Sequence, residues 1–491
     1  MRHSRRFLGI PLVVVAVIMV IAVGVAAAQL WIGVRVGPVA RFITDTAGRV
    51  VIYHGLNQVF KEPPYQPSGG GFDNDDAAFL RANGFNAVRL GVIWAAVEPQ
   101  PGIYDEAYLD SIAKTVQMLG DHGIGSLLDF HQDLYNEKFQ GEGAPLWAVQ
   151  DGGRPNPELG FPANYFRNPA LQHAFDQFWL NSPGPDGVGL QEHFAAAWTY
   201  TAARFAGNPN IIGYDLLNEP WPGTQYISCA VPLVGCSAFE RRLTEFYEKV
   251  ATAIRTVDPT TMIWFQPNLL FNPSNIIHLG TLSDARSGFS FHVYCPTEVE
   301  LHTDVGCRWL DDLTFAAARG YAAPRNLPEF VTEFGSTDDI AYLSQMVARG
   351  NKSMINWTEW AYTGTDKTST SSGGQALVYD PASPPMGLNV NTPKLKVLAV
   401  PYPQLISGTP TSWEFADGTF RLSYSTMRAD TAGTFGPGAE TVIAVPAIQF
   451  PNGYTVQCAG ARVTSAPNAP IVRVASLPDA STVAVTVTPN P

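Results

Sequence analysis

Short apolar runs alternate with longer segments of helical periodicity from about residue 50 to about residue 400. Eight runs are rich in β-branched and aromatic residues, which is typical of buried strands. In chain order they read VVIYHGLN, NAVRLGV, GSLLDF, IIGYDLLNE, MIWFQP, GFSFHVY, EFVTEF and SMINWTEW. Amphipathic segments such as EAYLDSIAKTVQMLGDHG lie between them. The alternation predicts an α/β fold, a (β/α)8 TIM barrel in which each parallel strand is followed by a helix.

The pattern changes after about Pro401, where short segments alternate apolar and polar residues with a period of two. Examples are SWEFADGTFRLSYST, ETVIAVPAIQF and STVAVTVTP, which are separated by Gly, Pro and Asp turns. This pattern predicts a C-terminal antiparallel β-sandwich domain. We therefore expect a catalytic barrel over residues 29–403 and a β-sandwich over residues 404–491, joined near YPQLISGTP.

The first 28 residues differ from both domains. Arg2, Arg5 and Arg6 precede an uncharged apolar stretch that ends in small residues at Ala28. This pattern is typical of a secretory signal peptide cleaved after Ala28, although the stretch is also long enough for an uncleaved N-terminal membrane anchor. Both alternatives predict a secreted or extracellular protein, which is membrane-anchored if the segment is retained.

The five cysteines fit an exported protein, because two pairs bracket short loops. We expect disulfides between Cys229 and Cys236 and between Cys295 and Cys307, with Cys458 as a buried thiol. None of the cysteines has the spacing of a zinc site, and we expect neither a metal nor another cofactor. The formal net charge of −12, without a basic run beyond the N-terminus, argues against nucleic acid as a partner and suits an uncharged substrate. We expect a monomer.

Polar side chains lie at or just beyond the C-terminal ends of the predicted strands. In a TIM barrel these ends converge on one site. The residues are Asn57, Arg89, Asp129, His131, Asp133, Asn218, Glu219, Gln266, His292, Tyr294, Glu333 and Trp360.

Two members of this set, Glu219 and Glu333, end the fourth and seventh strands and are expected to face one cavity. Glycoside hydrolysis needs such a pair, one carboxylic acid to protonate the leaving oxygen and one carboxylate to attack the anomeric carbon. Arg89 and Tyr294 are expected to hold Glu333 as the nucleophile. Glu219 is expected to keep its proton as the general acid, because the charge of Glu333 raises its pKa.

Other members of the set are expected to contact the substrate. Asn218 is placed to hydrogen-bond the 2-hydroxyl of the sugar. Trp360 offers an aromatic face for a sugar ring, while Trp357 points to the other side of the strand. His131 and Asp133 either contact the substrate or hold together the long loop after the third strand.

The motifs LLNEP, VTEFG, NAVRL and FHVY resemble glycoside hydrolase family five, a family of retaining barrel glycosidases. The segments DFHQDLYNEKFQGEGAP and NEPWPG resemble, more narrowly, the endoglycoceramidases. The resemblance implies that Glu219 is the acid/base and Glu333 the nucleophile. It also implies sugar contacts from Lys61, His131, Asp133, Asn218 and Trp360. Arg89, His292 and Tyr294 complete the predicted substrate-binding set.

Three functions stay open at this point. The first is a retaining endoglycosidase that cleaves the bond between the glycan and ceramide of glycosphingolipids, with transient contact to a membrane surface. The second is a family-five cellulase or β-glucosidase, and the third is a non-catalytic glycan- or lipid-binding protein. The intact glutamate pair argues against the third. The apolar loop WPGTQYISCAVPLVGC after the fourth strand favours a lipid aglycone, unless its residues only pack against the barrel.

Overall fold

The computed structural model of the protein describes residues 41–231, 234–274, 276–301, 303–364 and 375–491. Eight parallel strands form a closed barrel, and two antiparallel sheets lie beside it. Two short strands precede the barrel, β1 (Ile43–Thr44) and β2 (Val50–Val51). The barrel strands are β3 (His54–Gln58), β4 (Ala87–Val92), β5 (Gly125–Phe130), β6 (Ile211–Asp215), β7 (Ile263–Phe265), β8 (Ser287–Val293), β9 (Glu329–Phe334) and β10 (Asn356–Glu359). This arrangement confirms the predicted TIM barrel.

Helices follow the barrel strands and cover them. They are α1 (Asn74–Ala82), α2 (Trp94–Val97), α3 (Glu106–Asp121), α4 (Ala163–Arg167), α5 (Pro169–Trp179), α6 (Leu190–Phe205), α7 (Tyr226–Cys229), α8 (Ser237–Arg255), α9 (Phe271–Ser274), α10 (Pro296–Leu301), α11 (Cys307–Ala322), α12 (Ile340–Ser353) and α13 (Thr392–Leu398). Acidic side chains cap several of them; Asp105 accepts from the Tyr108 N–H at α3, and Asp339 accepts from the Tyr342 N–H at α12. Because helices cover the outside and side chains fill the inside, β4 and β8 are buried along their whole length.

The C-terminal region has the predicted antiparallel pairing in two sheets. Its strands are β11 (Tyr402–Ile406), β12 (Thr409–Ala416), β13 (Thr419–Ser425), β14 (Glu440–Ala444), β15 (Tyr454–Ala459), β16 (Ala461–Val463), β17 (Ile471–Ser476) and β18 (Thr482–Pro489). One sheet has the order β12-β13-β18-β15, and the other has the order β1-β2-β11-β14-β17-β16.

The run VVIYHGLN, which the pattern predicts as one strand, is divided between the barrel and the sandwich. Its first part, β2, pairs with β11, and its second part, β3, pairs with β4 and β10 in the barrel. The Ile52 N–H donates to the carbonyl of Gln404 just before the chain enters the barrel. Residues from both ends of the chain therefore form one sheet, and the domain division at residues 403 and 404 stays a prediction.

Both predicted disulfides are confirmed, Cys229–Cys236 and Cys295–Cys307. Cys458 is a free thiol but is half-buried rather than buried, because its side chain lies on a sandwich strand with one solvent-facing side.

The expected localisation needs a correction. No helix in the described part of the chain is long and apolar enough to cross a membrane, which contradicts the prediction of a membrane-anchored extracellular protein. The signal or anchor predicted at residues 1–28 lies outside the described residues.

Candidate active site

Glu219 lies four residues beyond the end of β6, on a turn with an unusual backbone. Its φ is +43°, a conformation that costs a non-glycine residue about 1–3 kcal/mol. Two glutamines hold this turn: the Glu219 N–H donates to Gln266 Oε1 at 3.3 Å, and its carbonyl accepts from Gln132 Nε2 at 3.1 Å. Pro220 follows and prevents a further strand hydrogen bond. The turn directs the carboxyl group into the end of the barrel.

Glu333 belongs to β9 and faces Glu219 across the barrel end. A carboxyl oxygen of Glu219, a carboxyl oxygen of Glu333 and a ring nitrogen of His292 all lie within 4.8 Å of one another. His292 Nδ1 is 2.8 Å from Glu219 Oε1 and 3.5 Å from Glu333 Oε2. Burial lowers the pKa of His292 to about 4, so the imidazole between the two carboxyl groups is neutral.

Arg89 and Tyr294 hold the Glu333 carboxylate from two sides. Arg89 Nη1 donates to Oε1 at 2.5 Å, and the Tyr294 hydroxyl donates to Oε2 at 2.8 Å. Arg89 is fully buried. Burial by itself lowers the pKa of Arg89, but the carboxylates of Asp129, Asp215 and Glu333 outweigh this effect and raise it. The guanidinium therefore stays charged beside Glu333.

Glu219 has a different environment. Burial raises the pKa of Glu219 to about 8, and the Asp133 carboxylate adds to the rise, against opposing effects of His131, Lys61 and Arg89. The prediction that the charge of Glu333 raises this pKa is wrong as to the main causes, which are desolvation and then the Asp133 carboxylate. The expected outcome, a protonated Glu219, is the same.

A second group of charges lies beside the pair. Lys61 Nζ is 2.5 Å from Asp133 Oδ2, 3.6 Å from Glu142 Oε1 and 4.5 Å from the centroid of the Trp360 ring. The His131 ring is nearly parallel to Trp360, with centroids 5.4 Å apart. Burial lowers the pKa of His131, but Asp129 and hydrogen bonds to Asp129 and Asp133 outweigh it and raise the pKa to about 9. The pKa of Asp133 is lowered by Lys61 and His131 despite burial, which leaves it ionised.

A cavity of about 260 Å³ opens above the carboxyl pair. Its lining residues fall into two chemical groups, which we term the polar wall and the apolar wall. The polar wall includes Asp133, Asn218, Glu219, His292, Tyr294, Glu333 and Trp360. The apolar wall includes Phe161, Pro162 and Phe166 from one segment of the chain and Leu269, Leu270 and Phe271 from another.

The structure thus brings the predicted site residues together in two layers. Asp133, Asn218, His292, Tyr294 and Trp360 line the cavity with the two glutamates. The other three, Arg89, Lys61 and His131, are buried directly behind this lining. Their direct contact with a substrate stays a prediction.

The apolar loop after β6 has a different role from the one expected of it. The described residues that line the cavity do not include Trp221, Tyr226 or Val231. Trp221 is fully buried and stacks on Tyr226, with centroids 5.3 Å apart. Trp221 and Tyr226 pack against the barrel core, and the apolar wall comes instead from the segments at residues 161–166 and 269–271. Pro232 and Leu233 lie outside the described residues.

Among the residues that the structure describes, two sets of side chains have the composition of a metal site: His131 with Asp133 and Glu142, and Glu219 with His292 and Glu333. In the first set the Lys61 ammonium supplies the positive charge that the carboxylates require. In the second set the Arg89 guanidinium does so at Glu333. Both sets are therefore compensated by cations of the protein itself, and the absence of a metal stays a prediction.

Sequence reasoning missed two buried residues of the site. Glu142 is fully buried near Lys61, and Gln132 donates to the carbonyls of both Asn218 and Glu219. Both lie in the loop after β5. In a loop, neither a strand-end position nor an apolar periodicity indicates which residues face the site. The only available sign was that a charged residue in GEGAP has apolar neighbours.

A TIM barrel with two facing glutamates at its strand ends is the architecture of a glycoside hydrolase. Comparison with known families agrees: the description "Cellulase (glycosyl hydrolase family 5)" matches residues 65–366, and "Glycoside hydrolase family 5 C-terminal domain" matches residues 401–488. The chain belongs to glycosyl hydrolase family 5.

Among curated proteins, endoglycoceramidase I of Rhodococcus hoagii (strain 103S) is 33% identical over 451 residues, which cover 88% of this chain and 84% of that protein. Among solved structures, endo-glycoceramidase II from Rhodococcus sp. as a lactosyl-enzyme intermediate has a TM-score of 0.74 and 28% identity, covering 92% of this chain and 100% of that one. The same protein in complex with ganglioside GM3 has a TM-score of 0.73 and 27% identity, with 92% and 99% coverage.

Proposed function

We propose that the protein is a retaining endo-β-glycosidase that hydrolyses the linkage between the glycan and ceramide of glycosphingolipids. The observation that carries this proposal is a close pair of glutamates in a cavity lined by both polar and apolar side chains. The pair has oxygens within 4.8 Å. Retaining glycosidases separate the two carboxyl groups by about 5–5.5 Å, whereas inverting enzymes need about 6.5–9.5 Å for a water molecule.

In the first step Glu333 attacks the anomeric carbon while the bond to the ceramide oxygen breaks. Arg89 and Tyr294 hold the attacking carboxylate in place. Glu219, protonated because its pKa is about 8, transfers its proton to the leaving oxygen. The products of this step are free ceramide and a glycosyl ester of Glu333.

In the second step a water molecule attacks the same carbon from the face that ceramide left. Glu219, now a carboxylate, takes the proton of the water, and the ester bond to Glu333 breaks. Two inversions restore the β configuration. Two hydrogen bonds fix the orientation of the Asn218 side chain: its Nδ2 donates to the Gln132 carbonyl, and its Oδ1 accepts from Arg89. The second hydrogen on Nδ2 can bind the 2-hydroxyl of the sugar.

The apolar wall supports a lipid aglycone. Phenylalanine and leucine side chains in the same cavity as the acid offer contacts to methylene groups, each worth about 0.8 kcal/mol on burial. The named endoglycoceramidase relatives support the same substrate class. Phe166 both lines the cavity and is 40% exposed, so it lies at the cavity mouth. We infer that this mouth contacts a membrane surface transiently and that the protein acts as a monomer.

The test compares lactosylceramide in detergent with cello-oligosaccharides. We expect faster cleavage of the glycolipid, with the β-anomer of lactose appearing first in an NMR time course. Glu333→Ser serves as the control and should lose about 10³-fold or more of kcat without unfolding, because covalent catalysis is removed. Faster cleavage of the soluble oligosaccharides would favour a cellulase-like enzyme, and the α-anomer first would exclude double displacement.

A further inference from the structure

A buried ion pair lies behind the active site, outside the cavity lining. Lys394 Nζ is 2.9 Å from Glu359 Oε1, and both side chains are fully buried. Glu359 is the last residue of β10 and directly precedes Trp360. Lys394 belongs to the first turn of α13, between the stretches that match the two family descriptions.

The position of Lys394 is unfavourable by local rules. A cation in the first turn opposes the helix dipole, and a buried ammonium needs compensation for lost hydration. Burial also raises the pKa of Glu359 to about 7, and Lys394 only partly opposes this rise. Local conflicts of this kind concentrate at functional sites, where another property is selected over stability.

A short series of hydrogen bonds leads from this ion pair to the cavity. Lys394 Nζ donates to the carbonyl oxygen of Gln375 at 2.5 Å. The side-chain oxygen of the same glutamine accepts from Trp360 Nε1 at 3.0 Å. The Ala361 N–H also donates to the Gln375 carbonyl. Gln375 therefore bonds both the indole of Trp360 and the backbone of the residue that follows it. Trp360 in turn lines the cavity.

The ion pair also lies against the strand that carries Glu333. Gly335, two residues beyond Glu333, has a φ of +101° and leaves room for the Glu359 side chain. A Cβ at Gly335 would be 2.8 Å from Glu359 Oε1. Glu359 therefore fills the space under the ends of both β9 and β10, and Trp360 projects to the opposite side of its strand.

We propose that Lys394 and Glu359 are positioning residues for Trp360 and act through Gln375. The last helix of the barrel, α13, thereby sets the orientation of the indole that meets the glycan. This inference rests on the proposed glycosidase function. It assigns a role in sugar binding to a helix that does not touch the sugar.

The experiment combines Lys394→Met with Trp360→Ala in a double-mutant cycle, with kcat and KM measured on an aryl lactoside. We expect Lys394→Met to raise KM about fivefold or more with kcat little changed, because the indole loses its fixed orientation. In the Trp360→Ala background the same change should alter KM less than about twofold, since coupled residues are not additive. Lys396→Met is the matched control, because Lys396 is exposed on the same helix.

Gln375→Met provides an independent route if Lys394→Met fails to fold. It removes the acceptor of the Trp360 indole but leaves the carbonyl that Lys394 contacts, and it should give the same rise in KM. Additive effects in the Trp360→Ala background would overturn the inference, as would a Lys394→Met or Gln375→Met enzyme with parental KM. Failure of the proposed function would differ, because the parent itself would then not release glycan from the glycolipid.

Discussion

Glu219 and Glu333 are the same amino acid in two surroundings, and the difference separates their roles. Glu333 accepts hydrogen bonds from a charged guanidinium and a phenol. Glu219 is buried beside the Asp133 carboxylate, and its pKa rises to about 8. Pairs of titratable groups whose environments differ in this way provide an acid and a nucleophile at one pH.

The pH dependence of activity should follow the proton of Glu219. Because the protonated form is the acid, kcat/KM should fall as the pH rises through about 8. Asp133→Asn should move this alkaline limb to lower pH, since it removes a charge that raises the pKa of Glu219. A pH profile of kcat/KM on an aryl lactoside, recorded for the parent and for Asp133→Asn, measures the position of the alkaline limb and its shift. An alkaline limb that does not move in Asp133→Asn would contradict the conclusion that the Asp133 carboxylate raises the pKa of Glu219.

At this scale the sequence predicts which residues meet but not how they affect one another. The strands of a barrel surround one axis whatever the loops do, so Arg89 within β4, Glu219 just beyond β6 and Glu333 near the end of β9 could be placed together from the strand pattern. The effect of Asp133 on Glu219 could not be predicted, because it depends on the path of the loop after β5. Glu142 was missed for the same reason.

At the scale of elements, α4 with the residues before it and the segment after β7 supply the apolar wall, while Trp221 of the loop after β6 packs on the barrel. Trp221 of that loop lies edge-on to Phe166, with centroids 5.2 Å apart. Composition indicated an apolar surface near Glu219 but did not show which side of the loop faces the cavity. The run VVIYHGLN is predicted as one strand for a comparable reason. Its residues are mostly apolar, and this pattern does not show that β2 joins the sandwich sheet while β3 joins the barrel.

The apolar wall can be tested by Phe166→Ser. We expect kcat/KM for lactosylceramide to fall about tenfold, the effect of losing roughly 1.4 kcal/mol of apolar contact, because the ring lines the cavity. Turnover of an aryl lactoside should stay within about twofold. Ile227→Ser is the control, as Ile227 is 67% exposed and lies outside the cavity lining. Equal losses on both substrates would show that Phe166 does not contact the lipid.

At the scale of the whole molecule, the barrel and the sandwich share a set of stacked rings. His54 of β3 lies between Trp357 of β10 and Tyr402 of β11, with centroids 4.2 and 3.8 Å away. The Tyr402 hydroxyl donates to the carbonyl of Gly84, which follows α1. Tyr402 of β11 therefore contacts both β3 and the turn after α1, and Trp357 of β10 stacks on the same His54 ring.

Tyr402→Ala should destabilise the protein by about 3 kcal/mol, because it removes a buried ring and leaves a cavity between the two units. Chemical denaturation measures this loss. Activity per folded molecule should remain within about twofold, since the ring stacks on His54 at the start of β3, whereas Glu333 is near the end of β9 and Glu219 follows the end of β6. Tyr379→Ala, at a 40% exposed tyrosine, is the control. An unchanged unfolding midpoint for Tyr402→Ala would contradict a shared interface.

The pairing of β2 with β11 also has a consequence for biosynthesis. During translation Val50 and Val51 emerge from the ribosome long before Leu405 and Ile406, the residues with which they pair. Until then the early strand keeps an open edge, and open edges of this kind recruit other chains. A nascent or proteolysed chain that stops before Tyr402 would therefore be aggregation-prone even with every barrel strand present, and complete translation is a condition for its solubility.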